Sequence, residues 1–103
     1  MSYNYNFLDS ASEDLNHIIH FMMLRGNNKT IDQFNKKMQI SIEGILLNPG
    51  SRPILFKRHG IEYRKLLIDH YILIYYVDSN GLVCIYRIFH QAQNYHKYLG
   101  IKL

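Results

Sequence analysis

A chain of 103 residues, 48% hydrophobic and 19% charged, has room for one domain around a single modest core. That balance excludes a disordered chain, and the longest apolar runs fall far short of the roughly 20 residues a membrane-spanning helix needs. Twelve Lys/Arg against eight Asp/Glu leave a net charge of +4, which favours an acidic partner, protein or nucleic acid, over a basic one.

The N-terminus, MSYNYNFLDS, has neither the basic nor the apolar stretch of a secretory leader. The single cysteine, Cys84, allows no internal disulfide and sits inside an apolar run, so it reads as a small buried hydrophobe. Together these predict a cytoplasmic protein with no membrane partner.

Tyr3, Tyr5 and Phe7 alternate with polar residues and would share one face of a short first strand. Ser10 and Glu13 stand at capping-box spacing, and Leu15, Ile18, Ile19, Met22 and Met23 follow at helical spacing. This predicts a helix over residues 10–25, ended by Gly26. Thr30 and Gln33 repeat the capping spacing and open a second helix, with Ile31, Phe34, Met38, Ile42, Ile45 and Leu46 as its buried face and Asn48-Pro49-Gly50 as its stop. The short GNNK connection makes the two a helical hairpin. Asp9, Glu13, Asp14 and Asp32 fall near helix starts, where the positive end of the helix dipole favours carboxylates; the spacing predicts structural roles for them. His17 and His20 lie three apart on the first helix with only Asp14 nearby, too few ligands for a metal site.

Residues 52–65, RPILFKRHGIEYRK, carry Arg52, Lys57, Arg58, Arg64 and Lys65 against Glu62 and read as a basic loop suited to an acidic partner or a phosphate backbone. The period then changes to two. Tyr63–Ile68, Tyr71–Val77 and Leu82–Phe89 are rich in β-branched and aromatic residues, and Asp69-His70 and Asp78-Ser79-Asn80-Gly81 supply the turns of an antiparallel meander. Tyr71 and Tyr75 share one face of their strand and Tyr76 takes the other. The order β-α-α-β-β-β, an N-terminal helical hairpin packed on one face of an antiparallel sheet, is a single α+β domain over residues 1–103.

Residues 63–99, YRKLLIDHYILIYYVDSNGLVCIYRIFHQAQNYHKYL, resemble the C-terminal half of the RelE/ParE toxin family: a basic-apolar strand, a Y-I-x-x-Y-x-V strand, a short hairpin loop and an apolar strand ending R-I-x-H-x-x-x-x-Y. The front half agrees, with Ala11, Asp14, Leu15 and Ile18 on the first helix and Ile42, Leu46, Pro49 and Gly50 at the end of the second. The resemblance spans nearly the whole chain and rests on order, spacing and length. It implies the toxin of a type II toxin–antitoxin module, acting in growth arrest or plasmid stabilisation and neutralised by a cognate acidic antitoxin that wraps around it. No cofactor and no metal are implied. RelE-like members cleave messenger RNA on the ribosome without a metal, as mRNA interferases; ParE-like members inhibit DNA gyrase. Fold alone does not choose between them.

Metal-free RNA cleavage needs a base for the 2′-hydroxyl, a cation for the phosphate and an acid for the leaving oxygen. If the chain is a nuclease, Arg64, His90, Tyr95 and Tyr98 are the catalytic candidates, whereas Arg52, Lys57, Arg58, Lys65 and Arg87 would bind partners. Compared with nuclease relatives, Tyr71–Val77 lacks a basic residue, and Gln93-Asn94 stand where an Arg-Asp pair is common. These departures favour the ParE-like branch, with a RelE-type interferase as the alternative and an inactive, antitoxin-binding relative as a third.

Overall fold

A computed structural model describes residues 4–101, so Tyr3 of the expected first strand lies outside the described residues. Strand β1 (Tyr5–Phe7) leads into helices α1 (Asp9–Leu24) and α2 (Asn28–Leu47) and a single 3₁₀ turn at Pro49–Ser51. Strands β2 (Ile54–Arg58), β3 (Ile61–Ile68), β4 (Tyr71–Val77) and β5 (Val83–His90) follow, and then a short helix, α3 (Tyr95–Leu99). The sheet has five strands in the order β1-β5-β4-β3-β2; β2 to β5 are antiparallel neighbours, and β1 runs parallel to β5. The α+β class and the leading helical hairpin are as expected, but the sheet gains a strand and the tail gains a helix.

That strand comes from the stretch expected to be a basic loop. Ile54–Arg58 pairs with Ile61–Arg64 across His59-Gly60, both at positive φ (53° and 78°), the backbone of a tight hairpin that follows the sheet's twist. Two features hid it in the sequence. Lys57 and Arg58 cut the apolar run to three residues, and Leu55 bulges between Ile54 and Phe56, which breaks the period of two.

Neither expected capping box forms. α1 begins at Asp9 with Leu8 as its cap residue and no side chain on the cap, while Ser10 Oγ donates to the Tyr86 carbonyl at 2.9 Å. α2 begins at Asn28, because Asn27, a stronger cap than a threonine further on, accepts from the Thr30 amide at 3.1 Å. Gly26 does end α1: at φ 70° it turns the chain and donates its amide to the Met23 carbonyl at 2.9 Å.

One sheet face meets the helices. Leu66, Ile68, Leu73 and Tyr75 pack against Phe34, Met38, Ile42 and Ile45. Tyr75 is wholly buried and its hydroxyl donates to the Pro49 carbonyl at 2.6 Å, tying the turn after α2 to the core. On β5 a bulge at Tyr86 lets Ile85 and Ile88, three residues apart, both face the helices. The second face buries Ile72, Ile74, Phe89 and Leu99 under a cover of Phe56, Tyr63, Tyr86 and Tyr95.

Strand β1 pairs with β5 only as far as Ile85. Beyond it the exposed edge of β5 is closed by the chain leading into α1 and by the helix itself: Leu8 donates to the Ile85 carbonyl, Ser10 to the Tyr86 carbonyl, and Asp14 accepts from the Ile88 amide. This seal positions the site described next.

Candidate functional site

Where α1 meets the free edge of β5, Asp14, His17, Arg87, Phe89, Gln93 and Tyr98 line a cleft of about 240 Å³. Asp14 organises it. Its Oδ2 accepts from Arg87 Nε at 2.7 Å and from the Ile88 amide at 2.9 Å, and its Oδ1 accepts from Arg87 Nη2 at 3.1 Å. Asp14 is structural, as expected, but it serves the edge of β5 and not the helix dipole. The bond to Asp14 also pushes the Arg87 guanidinium further above its already high range. That guanidinium lies 4.5 Å from the centroid of Phe89, whose ring is flanked by those of Tyr95 and Tyr98 at 6.1 and 5.9 Å. Arg87 is therefore paired and stacked inside the fold.

The other sequence candidates are distributed over the molecule. Arg64 lies opposite Tyr75, and its Nη1 donates to the Arg52 and Gly50 carbonyls at 2.6 and 3.3 Å, so it fastens the turn after α2. His90 lies opposite Tyr71; its Nδ1 accepts from the Ala92 amide at 3.0 Å, and its own amide donates to Gln93 Oε1 at 2.7 Å. Tyr75 and Tyr71 are four residues apart on β4, which separates Arg64 from His90 by roughly 13 Å along the sheet. Tyr95 and Tyr98 belong to the Phe89 stack. Of the four catalytic candidates, only those two tyrosines come together, and Arg87 joins them. Arg58 donates to the Leu99 carbonyl at 2.7 Å and lies over the Phe56 ring, so it holds the end of α3. Arg52 and Lys57 are exposed, and Lys65 is half-buried.

His17, whose sequence context suggests only an incomplete set of metal ligands, also lines the cleft. Its signal was the spacing to Asp14, three residues along α1, which puts both on one side of the helix. Among the described residues no three His, Cys, Asp or Glu side chains gather as metal ligands.

A second aromatic group covers the far end of the same sheet face. Phe56 and Tyr63 stack at 4.4 Å, and Tyr63 meets Tyr76 and Tyr86 at 5.2 and 5.0 Å. Burial, followed by a hydrogen bond with Cys84, pushes the Tyr76 phenol up to about 12, and burial raises Tyr63. These phenols stay neutral at physiological pH and so serve as packing and hydrogen-bonding groups, not as bases.

The family model described as the ParE toxin of the type II toxin-antitoxin system, parDE, matches residues 5–95. The chain belongs to the ParE toxin family. The match runs from β1 to the first residue of α3 and so includes both sides of the Asp14–Arg87 seal. No curated protein matches the chain. Membership makes this a toxin of a type II toxin–antitoxin system and implies an antitoxin partner. No helix among the described residues is long and apolar enough to cross a membrane.

Proposed function

We propose that this ParE-family toxin arrests growth by binding DNA gyrase and inhibiting it, without cleaving RNA itself, and that a cognate acidic antitoxin neutralises it in the cytoplasm. The observation that carries this reading is the engagement of the cations. Arg64 is bonded to two backbone carbonyls, Arg87 to Asp14 and Arg58 to Leu99, so none of the three is left to neutralise a phosphate in the transition state. His90, with its Nδ1 occupied by the Ala92 amide, is separated from Arg64 by roughly 13 Å along the sheet. Inhibition through protein–protein contact needs no such centre, only exposed surface.

A supercoiling assay with purified gyrase tests the reading. Stoichiometric toxin should block supercoiling of relaxed plasmid, and added antitoxin should restore it. Full gyrase activity in the presence of excess toxin would rule the reading out. One observation favours the RelE-type alternative: His17, Arg87 and Tyr98 line a single cleft. Primer extension on translated messenger RNA after induction decides it, since cleavage that His17→Ala abolishes would establish an interferase. Growth unaffected by induction would support the inactive, antitoxin-binding relative.

A further inference from the structure

The tip of the helical hairpin holds another opening, about one helical turn along α1 from the cleft at Arg87. A cavity of about 340 Å³ lies between the end of α1, the start of α2 and the turn joining β3 to β4. Its volume falls within the range of ordinary ligand cavities, about 300–1,000 Å³. The floor is apolar: the Phe34 and Tyr71 rings meet edge to face at 5.1 Å, with Met22 beside them. Phe21 forms one wall and remains 52% exposed, and Leu24, one turn on, is 74% exposed. On the opposite rim Lys37 and Asp69 form an ion pair at 2.9 Å, which leaves that side neutral.

The remaining charge at the rim is Arg25. It takes part in none of the ion pairs found among the described residues, and its guanidinium lies 4.7 Å above the Phe21 ring. A cavity with an apolar floor, polar Asn27, Thr30 and Gln33 along α2, and at its mouth a cation outside the ion pairs of the described residues suits an apolar side chain that has a carboxylate next to it. The stacking on Phe21 holds Arg25 in place beforehand, which reduces the ordering cost of a second contact.

We infer that this cavity is an anchor pocket for the antitoxin, taking one aromatic or long aliphatic side chain while an adjacent carboxylate pairs with Arg25. The assignment rests on the type II toxin reading and is independent of whether gyrase or RNA is the target. A second copy of the chain is the poorer occupant, because each copy carries a net charge of +4 and the two repel. An acidic partner is drawn to the same surface.

The test uses the full-length toxin and the product of the reading frame beside its gene, titrated by calorimetry. Arg25→Glu reverses the rim charge, and Thr30→Trp, at a cavity-lining position, fills the hole. Each should weaken binding at least tenfold, with the thermal unfolding of the free toxin unchanged. Leu47→Glu, at the other end of α2 and 74% exposed, should bind within twofold of the parent. Should both cavity variants bind like the parent, the pocket assignment falls while the antitoxin reading stands. If the parent toxin fails to bind the neighbouring product, the antitoxin reading falls and the pocket assignment with it. If light scattering detects a toxin dimer that Arg25→Glu disrupts, the occupant is a second copy and the inference is overturned.

Discussion

The two faces of the sheet are covered by different means. Over one lie helices of 16 and 20 residues whose apolar stripes meet an apolar strand surface. Over the other lie one helix of five residues and a set of aromatic rings, held by contacts between residues far apart in sequence. The first face depends on burial, which is non-directional and tolerates small shifts. The second adds to its smaller buried set, Ile72, Ile74, Phe89 and Leu99, a few oriented polar contacts: Arg58 to the Leu99 carbonyl, 41 residues apart, and Arg87 to Asp14, 73 apart. Stability therefore concentrates on the helix-covered face, and adjustable surface on the other.

A core truncation on each face tests that contrast directly. Leu73→Ala, in the wholly buried helix-side core, should cost about 3–4 kcal/mol in urea unfolding. Leu99→Ala should cost about 2 kcal/mol or less, because a five-residue helix can settle into the space left behind. Equal losses would erase the distinction between the faces. Asp14→Ala comes next, at about 2–3 kcal/mol, since it strands both the Arg87 guanidinium and the Ile88 amide. Asp14→Asn should cost less, as its side-chain oxygen can still accept from Ile88. If the two variants prove equally stable, Asp14 does not seal the edge of β5.

Tyr75→Phe keeps the packing and removes only the bond to Pro49, leaving a carbonyl without its partner, for a loss of about 1–2 kcal/mol. Arg58→Ala should lower global stability by less than about 1 kcal/mol yet speed amide exchange over residues 96–101. Uniform exchange across the molecule would show that α3 is not an independent unit. The smallest effect is alkaline. The Tyr76 phenol is raised from its ordinary value of 10.0 to about 12, so the folded state favours the neutral form. Its contribution is complete below the unfolded value and declines as pH rises from about 10 through 12. Thermal unfolding followed between pH 9 and 12 should fall more steeply for the parent than for Tyr76→Phe.

The helix-covered face was largely legible in the sequence. The helical spacing of Phe34, Met38, Ile42 and Ile45 names the buried side of α2, and the alternation of Tyr71, Leu73 and Tyr75 names the inner side of β4. Strand β2 was not legible, because a bulge and two cations break its alternation, and α3 is too short to show a period. The caps were misread for a related reason. Spacing alone marked Ser10 and Thr30, but the Ser10 hydroxyl was claimed by the carbonyl of Tyr86, 76 residues away.

The α+β class, the leading helical hairpin, the antiparallel meander and the resemblance to RelE/ParE toxins can all be read from the order of residues, because periodicity, turn chemistry and the succession of elements are local properties of the chain. Which of the described cations are engaged depends on how distant segments pack. Arg58, Arg64 and Arg87 look alike on the page as candidates for a phosphate or an acidic partner, yet each is held by an oxygen 12 to 73 residues away. Arg25, which no motif marked, is left facing an apolar cavity. A cation's role depends on which oxygen reaches it in the folded chain, and that is fixed by packing between distant segments.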